Sequence, residues 1–306
     1  MTDDKLLMAE AATLYYEKNL TQQQIAQKLQ LTRQTVSRLL TDAVKENIVQ
    51  IVIRDPKKDC AELEQQLCRA FGLENCIVCS VSSQDPSVQQ LMTVKAAANY
   101  LLPILQKGGL KIALSWGRTV QALIEALPQT VTQGNTVFPL FGATDSQRAC
   151  FSSNELARSL ADKLSAQVKC AWFPYMAENP EEWALLQQLS YFKKMRALWD
   201  SADLAILGIG NTQVLDIFGR TFGYSHRHAC AIGDVATHFF DEAGDFVPLY
   251  PNTLCASQEN LRHIGNTVAI AWGSDKVQAI LGALRTKLLR TLITDEYTAR
   301  KILEYR

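Results

Sequence analysis

The turn at residues 115–119 carries the side chains best suited to binding an anion. It lies between an apolar run at 110–114, which predicts a buried strand, and a helical pattern, and it consists of Ser115, Trp116, Gly117, Arg118 and Thr119. Free N–H groups at a helix N-terminus attract anions, a glycine lets the backbone approach a ligand, and a guanidinium pairs with phosphate in a forked geometry. The pattern indicates phosphate or sugar binding. A plain strand-to-helix turn capped by Ser115 accounts for the same residues equally well.

Gly208 and Gly210 lie where a second apolar run, residues 204–209, comes to its end. Glycines allow a tight turn and a close approach of the backbone to a ligand. They do not form a dinucleotide-binding motif, because Gln213 replaces the third glycine and no clear acidic partner for a ribose follows. The two glycines are therefore expected to line the same cleft as the turn at 115–119.

Asp234 and Lys276 are the charged candidates for the same cleft. Asp234 stands among small residues in a predicted loop, where its carboxylate could accept hydrogen bonds from sugar hydroxyls. Lys276 begins the helical pattern after the apolar run at 268–272, and a cation is unfavourable at a helix N-terminus unless an anion lies nearby. This mismatch favours contact between Lys276 and a ligand phosphate or carboxylate. A solvated surface lysine remains the alternative, since it costs little there.

A different chemistry is expected at residues 33–38, which open a predicted helix. Its expected exposed side chains are Arg33, Gln34, Thr35, Ser37 and Arg38. Arginine can bind guanine with two hydrogen bonds, glutamine can do the same with adenine, and short hydroxyls reach bases or phosphates. No acidic residue occurs between Lys18 and Thr41, so this surface does not repel DNA although the protein has no net charge. A solvated polar face on an ordinary three-helix unit is the alternative.

The helices that would position these DNA-binding residues are short and closely spaced. Thr21, with a glutamine three residues later, fits a capping box, Gln22 opens the helix behind it, and Thr32 can cap the next helix after only two further residues. With a third helix over 6–18, this arrangement predicts a helix-turn-helix unit whose second helix enters the major groove of DNA. Thr21, Gln22 and Thr32 are therefore counted among the expected DNA contacts. Gln30 occupies the turn position where glycine is usual, so a strained positive φ is expected there.

From residue 76 onward, short apolar runs alternate with helical patterns. This alternation predicts an α/β fold with a doubly wound, mostly parallel sheet and helices on both faces. Ligands in such folds bind beyond the C-terminal ends of the strands, which is where the cleft residues fall. A β-rich stretch at 48–54 predicts a short strand, and a proline-containing breaker at 55–59 precedes a linking helix. The predicted division is a helix-turn-helix domain at 1–54, a linker helix at 55–75 and an effector domain at 76–306.

The composition limits the remaining function classes. The chain has 306 residues, of which 47% are hydrophobic, so a small and a large domain with a sizeable core are expected. No signal peptide and no membrane-spanning stretch are evident, which predicts a cytoplasmic protein with reduced thiols and no membrane partner. The eight cysteines and four histidines lack the spacing of metal ligands, so no metal and no cofactor are expected. Cys76 and Cys79 are interpreted as small apolar residues of a buried strand.

Five segments of the sequence resemble SorC-type bacterial transcriptional regulators. They lie, in the same order as in that family, at 11–51, 115–119, 202–210, 233–245 and 292–303. The resemblance covers nearly the whole chain and implies a regulator of carbohydrate operons, a homodimer or homotetramer, whose ligand is a phosphorylated sugar. It also implies ligand contacts at Asp234 and Lys276, and an effector domain similar to sugar-phosphate isomerases and deaminases that has generally lost their enzymatic residues. Trp272-Gly273 departs from the paired glycines common in the family, which leaves the ligand's identity open.

The function expected from the sequence is that of a transcriptional regulator, not an enzyme. It would bind double-stranded operator DNA with an affinity set by a sugar phosphate or a related small ligand. Two alternatives stay open. An active sugar-phosphate isomerase or deaminase with an accessory N-terminal module would need a positioned general base. A sensor of an unphosphorylated sugar or polyol would use Arg118 and Lys276 to meet hydroxyls or structural carboxylates.

Overall fold

A computed structural model describes residues 3–50, 60–81, 83, 85–144, 152–211 and 230–306. The chain divides into two units, Met1–Lys58 and Asp59–Arg306. Of the predicted strand at 48–54, residues 48–50 are not in a strand, and the rest, with the breaker at 55–59, lies outside the described residues. The predicted linking helix is observed at Ala61–Phe71 (α4), inside the second unit. The end of the first domain at residue 54 stays a prediction.

Three helices form the first unit, as the apolar spacing predicts. They are α1 (Asp3–Ala12), which continues in a π-helical turn (Thr13–Glu17), α2 (Gln22–Leu29) and α3 (Arg33–Lys45). The predicted stripe of α3 is buried, and it packs with α1 and α2 around a small core of Ala11, Ala12, Ile25, Ala26, Val36, Leu39, Leu40 and Ala43. This core fixes which face of α3 remains in solvent.

Both predicted caps are present in the first unit. The hydroxyl of Thr21 accepts a hydrogen bond from the N–H of Gln24 at 3.3 Å, and the side chain of Gln24 accepts one from the N–H of Thr21 at 2.9 Å. The hydroxyl of Thr32 accepts from the N–H of Thr35 at 3.1 Å. Gln30 ends α2 in the left-handed conformation, with φ 57° and ψ 40°. The tight turn is therefore made by a residue that has to tolerate strain.

Replacing Gln30 with glycine is expected to stabilise the first unit by about 0.5–1 kcal/mol. A side chain in the left-handed region costs roughly 1–2 kcal/mol, which glycine avoids. Glycine also makes the unfolded chain more flexible, and this offsets part of the gain. Gln30 is exposed, so few contacts are lost. Slower hydrogen exchange of the α2 and α3 amides would report the gain. The matched control is Gln27→Gly inside α2, which should speed exchange; faster exchange in both variants would contradict the prediction.

A mostly parallel sheet organises the second unit, as predicted. Its strands are β1 (Asn75–Cys79), β2 (Lys111–Leu114), β3 (Thr136–Pro139), β4 (Gln167–Val168), β5 (Leu204–Asn211), β6 (Gly233–Val235), β7 (His238–Phe240), β8 (Asn266–Ile270) and β9 (Thr291–Asp295). The order β1-β9-β8-β5-β2-β3-β4 is parallel throughout. β6 extends the end of β5 in antiparallel fashion and pairs with β7.

Helices cover both faces of this sheet. Besides α4, they are α5 (Pro86–Gln106), α6 (Arg118–Ala126), α7 (Ser153–Leu164), α8 (Pro180–Gln188), α9 (Ser190–Asp200), α10 (Gln258–His263), α11 (Val277–Arg285) and α12 (Glu296–Glu304). Successive strand residues enter opposite cores. Ile112 and Leu114 pack with α5, α6 and α7, whereas Ala113 faces the core that contains α4, α9, α11 and α12. The doubly wound architecture brings the carboxyl ends of β1, β9, β8, β5 and β2 to one edge.

Several elements of the second unit were not predicted. The antiparallel pair β6–β7 replaces the loop expected around Asp234, and α8, α9 and α10 were not identified from the sequence. Among the described residues, no helix has both the length and the apolar character needed to cross a membrane.

Candidate ligand-binding cavity and DNA-binding surface

A cavity of about 690 Å³ opens at the carboxyl ends of the central parallel strands in the second unit. Its wall includes all the residues that the sequence analysis assigned to a ligand: Ser115, Trp116, Gly117, Arg118, Thr119, Gly208, Gly210, Asp234 and Lys276. They come from the ends of β2 and β5, from β6, and from the turn after β8. The topology thus brings together residues that are up to 161 positions apart, from Ser115 to Lys276.

The N-terminus of α6 is built without a side-chain cap among the described residues. Gly117 is the capping residue, at φ 119° and ψ 162°, a conformation that favours glycine. The hydroxyl of Ser115 does not cap the helix; it accepts from the N–H of Gly208 at 3.1 Å and donates to the carbonyl of Trp116 at 3.3 Å. Ser115 therefore joins the ends of β2 and β5, and the first N–H groups of α6 are left for a ligand. The alternative of a turn capped by Ser115 is wrong.

The indole of Trp116 anchors this turn to the core. Its ring centroid lies 4.4 Å from that of Phe141 and 5.3 Å from that of Tyr175, both of which are fully buried. The tilted aromatic contacts hold the backbone of the turn against the sheet. Arg118, one residue beyond Gly117, is exposed and has no ion-pair partner among the described residues.

Lys276 is half-buried at the opposite wall of the cavity. It is the last residue of a 3₁₀ turn (Ser274–Lys276) and caps α11, rather than opening that helix directly. Its ammonium donates to the carbonyl of Ile209 at 3.0 Å. Burial lowers the pKa of Lys276; the guanidinium of Arg118 acts in the same direction, while Asp275 and Asp234 oppose it. The positive charges of Lys276 and Arg118 repel each other, and a bound anion would relieve this repulsion.

Asp234 is buried on β6, at 5% exposure, opposite Gly210 of β5. Its carboxylate accepts a hydrogen bond from the N–H of Thr237 at 3.1 Å. Burial raises the pKa of Asp234 from 3.8 to about 6, although the Thr237 N–H and the charge of Lys276 both act to lower it. At neutral pH the carboxylate is thus mostly ionised and poorly solvated, a state in which it favours donors such as sugar hydroxyls.

Replacing Asp234 with asparagine is expected to stabilise the ligand-free protein near pH 8 and to change little near pH 4. The folded carboxyl keeps its proton at pH values where the unfolded one has lost it, so stability falls as pH rises between the two pKa values. A shift from 3.8 to about 6 corresponds to roughly 3 kcal/mol. Asparagine can still accept the Thr237 N–H. Thermal unfolding at both pH values checks this; the same change in Tm at both would contradict it.

The DNA-binding candidates lie at the start of α2 and on α3 in the first unit. Arg33, Gln34, Ser37 and Arg38 are exposed on α3, opposite its buried stripe. Thr35, which was expected to be exposed, is half-buried, and its hydroxyl lies 2.8 Å from that of Thr32. Thr21 and Thr32 are used as helix caps, and Gln22, at the start of α2, is half-buried. The exposed set is the one that a helix in the major groove would present to bases.

Comparison with known proteins identifies the family. A profile described as "Putative sugar-binding domain" matches residues 55–304, and one described as "Sigma-70, region 4" matches residues 10–46, the helix-turn-helix region. The chain is 32% identical to the sorbitol operon regulator of Klebsiella pneumoniae over 99% of both chains. The crystal structure of that full-length regulator, SorC, superposes with a TM-score of 0.82, covering 99% of this chain and 100% of the other. The chain belongs to the SorC family.

A more distant relative of this SorC-family chain is the deoxyribonucleoside regulator of Bacillus subtilis, which is 27% identical over 97% of this chain and 96% of its own length. Both of these relatives are named as regulators, and both match over 97% or more of this chain, which includes both units. The SorC-family chain is therefore a DNA-binding transcriptional regulator with a sugar-type ligand domain.

Sequence reasoning missed part of the cavity wall of this SorC-family regulator. The amide of Asn211 donates to the carboxylate of Asp275 at 3.1 Å across the mouth. The start of α5 contributes Ser87, Gln89 and Gln90, and α12 contributes Tyr297. Asn211 and Asp275 adjoin predicted residues and could have been found by extending the strand-end rule. The α5 wall carries no sequence signal, because its place depends on how β1 sits in the sheet.

No group of three or more potential metal ligands occurs within the part of the chain that the structure describes. His226 and His228 lie outside that part. Burial raises the pKa of Cys76, and it raises that of Cys79 to about 11, so both thiols stay protonated at neutral pH and make poor metal ligands. The expectation of no metal and no cofactor stays a prediction.

Proposed function

We propose that the effector of this SorC-family regulator is a sugar phosphate whose phosphate lies at the N-terminus of α6. The single observation that carries the proposal is the uncapped helix start at Gly117, with Arg118 on it and Lys276 facing it. Backbone N–H groups and a helix N-terminus favour an anion, and a guanidinium adds paired, charge-assisted hydrogen bonds. A bound phosphate would also relieve the repulsion between the two cations.

The sugar itself would extend along β5 and β6. Asp234 would accept from its hydroxyls, Thr119 would supply a hydroxyl of its own, and Ser115 would hold the turn beside the ligand through its bonds to Gly208 and Trp116. Gly208 and Gly210 would let the backbone approach the ligand, and Trp116 would give the pocket an apolar wall. The amide groups of Asn211, Gln89 and Gln90 add uncharged hydrogen-bonding partners suited to a polyhydroxyl chain.

We infer that the first unit binds double-stranded operator DNA through α3. Arg33, Gln34, Ser37 and Arg38 would read bases, Thr21, Gln22, Thr32 and Thr35 would lie against the phosphates, and a homodimer or homotetramer would bind two half-sites. Its proposed place of action is the cytoplasm, where bacterial operators lie. Effector binding would favour one arrangement of the subunits and thereby change operator affinity.

We further propose that the cavity binds its ligand without turnover. The relatives are named as regulators, and an isomerase would need an acid–base pair aimed at the reacting carbons. The carboxylate of Asp234 is instead bonded to the Thr237 N–H. Incubating the protein with sugar phosphates and with amino-sugar phosphates should give no isomer and no released ammonia detectable by NMR; accumulation of an isomer, or of a deaminated product from an amino-sugar phosphate, would overturn this.

A second candidate is an unphosphorylated sugar or polyol. The observation that favours it is the hydrogen bond from Lys276 to the Ile209 carbonyl, together with the nearby charge of Asp275. These partners within the protein stabilise the ammonium without a ligand phosphate. In that case Arg118 would meet hydroxyls.

A thermal-shift screen separates the two candidates. The panel contains sorbitol, fructose, erythritol and deoxyribose, each free and phosphorylated, and each is tested with and without promoter DNA from beside the protein's own gene. A specific ligand at a hundred times its Kd stabilises by about 2.7 kcal/mol. Stabilisation by a phosphorylated member but not by its free counterpart supports the proposal. Stabilisation by a free sugar alone supports the second candidate and contradicts the first.

A further inference from the structure

Two of the proposed ligand contacts belong to one closely packed body in the second unit. Asp234 lies on β6, and Lys276 immediately precedes α11. A Cβ on Gly233 would come within 2.9 Å of the Ala279 side chain, and one on Gly282 within 2.8 Å of the Phe240 ring. The hairpin β6–β7 and α11 therefore meet at glycines, without room for either to slide past the other.

The helix α11 is suited to carry a displacement along its length. Its buried residues are Val277, Ala279, Ile280, Leu281, Gly282, Ala283 and Leu284, so nearly the whole helix is enclosed by the core. A helix packed in this way shifts as a unit rather than bending locally. Arg285, the last residue of α11, donates a hydrogen bond to the carbonyl of Glu242 at 2.6 Å. Because Glu242 follows β7, this bond links the end of the helix to the hairpin.

The far end of α11 holds the end of α4. Two residues after the helix, Lys287 adopts φ 59°, and its ammonium donates to the carbonyl of Phe71 at 2.7 Å. Phe71 is the last residue of α4, so this carbonyl belongs to the helix C-terminus, where a lysine is favourable. α4 begins at Ala61, two residues after the start of the second unit, and among the described residues it is the first helix that follows the DNA-binding unit along the chain.

The opposite cavity wall belongs to another part of the core. The helix α6, on which Arg118 is exposed, packs with α5 and α7 on the face of the sheet opposite to α4 and α11. A ligand that bridges Arg118 and Lys276 would therefore contact elements from both faces of the sheet.

We propose that α11, with the hairpin β6–β7, transmits ligand occupancy to α4, and that Lys287 is the positioning residue that joins them. This inference rests on the proposed effector site and adds the route by which that site acts. Lys287 lies outside the cavity wall, so its role is in coupling and not in ligand binding.

The test separates coupling from binding by measuring both in the same variant. In Lys287→Met the aliphatic stem stays and the donor is lost. The probe is the phosphorylated sugar of the panel that stabilises the wild type most. Its Kd is expected to stay within about twofold of wild type, because Lys287 does not touch the cavity. The ligand-induced change in operator Kd, expected at about 5- to 150-fold in the wild type, should fall to about twofold or less.

Two control variants make the result specific. Lys287→Arg should keep the response, since it keeps a donor. Lys163→Met removes a similar bond, in which an ammonium donates to the Leu127 carbonyl at the end of α6 at 3.0 Å, and should also keep it. A wild-type response in Lys287→Met, or an equal loss in Lys163→Met, would overturn the inference while leaving the proposed function intact. Absence of any response in the wild type would overturn both.

Discussion

Replacing Arg33 and Arg38 together with alanine is expected to weaken operator binding by about thirtyfold or more. Each arginine is exposed in the N-terminal half of α3, on the face opposite its buried stripe. A side chain that binds a base edge contributes roughly 1–3 kcal/mol, and each 1.4 kcal/mol is a factor of about ten in affinity. The measurement is gel retardation of promoter DNA at fixed salt, because the charge contribution depends on ionic strength.

The matched control removes the same charge elsewhere. Arg158 and Arg196 are exposed on α7 and α9 of the second unit, and the double variant Arg158→Ala, Arg196→Ala should bind operator DNA within about threefold of wild type, because neither arginine lies on the recognition helix. Unchanged retardation by the Arg33, Arg38 variant, with circular dichroism showing an intact fold, would mean that α3 is not the recognition helix.

Replacing Lys276 with methionine is expected to remove most of the thermal stabilisation by a sugar phosphate. A hydrogen bond to a charged group contributes about 1.5–3 kcal/mol, so the Kd of the ligand should rise by about ten- to a hundredfold. Methionine keeps much of the stem that packs at the start of α11. Operator affinity without ligand should be unchanged, because Lys276 lies in the second unit. Thermal shift across a ligand titration measures the first effect, and gel retardation the second.

Lys194→Met provides the control for Lys276→Met. Lys194 is exposed on α9 and has no ion-pair partner among the described residues, so its loss should leave the ligand response unchanged. If the ligand stabilised Lys276→Met as strongly as the wild type, the anion site would have to lie elsewhere.

Local signals explain why the residues of both candidate sites could be predicted from the sequence to lie in the same cavity wall or on the same helix. Thr21 and Thr32 cap the helices that follow them, which fixed the helix-turn-helix unit and therefore the exposed face of α3. Continuous apolar runs identified the parallel strands, and the rule that ligands bind beyond strand C-termini selected Ser115, Gly208 and Lys276 without any knowledge of the strand order. These inferences need only neighbours along the chain.

Contacts between segments that are distant in the sequence explain the features that could not be predicted. Asp234 was expected in a loop but lies on β6, because that short strand exists only through pairing with the end of β5 and with β7. Ser115 was weighed as a helix cap, yet its hydroxyl bonds to the backbone of Gly208, 93 positions away. The helix α8 leaves no apolar stripe in the sequence, because none of its residues is buried. Such features depend on the assembled sheet.

The most direct test of this account is the Kd of fluorescent promoter DNA during a titration with the stabilising sugar phosphate. The account predicts a change of about 5- to 150-fold in either direction. Half of the change in the operator association constant, 1/Kd, should occur at the ligand concentration that half-saturates the DNA-free protein in calorimetry. An operator Kd that stays constant while calorimetry shows a filled cavity would contradict the claim that the cavity controls DNA binding.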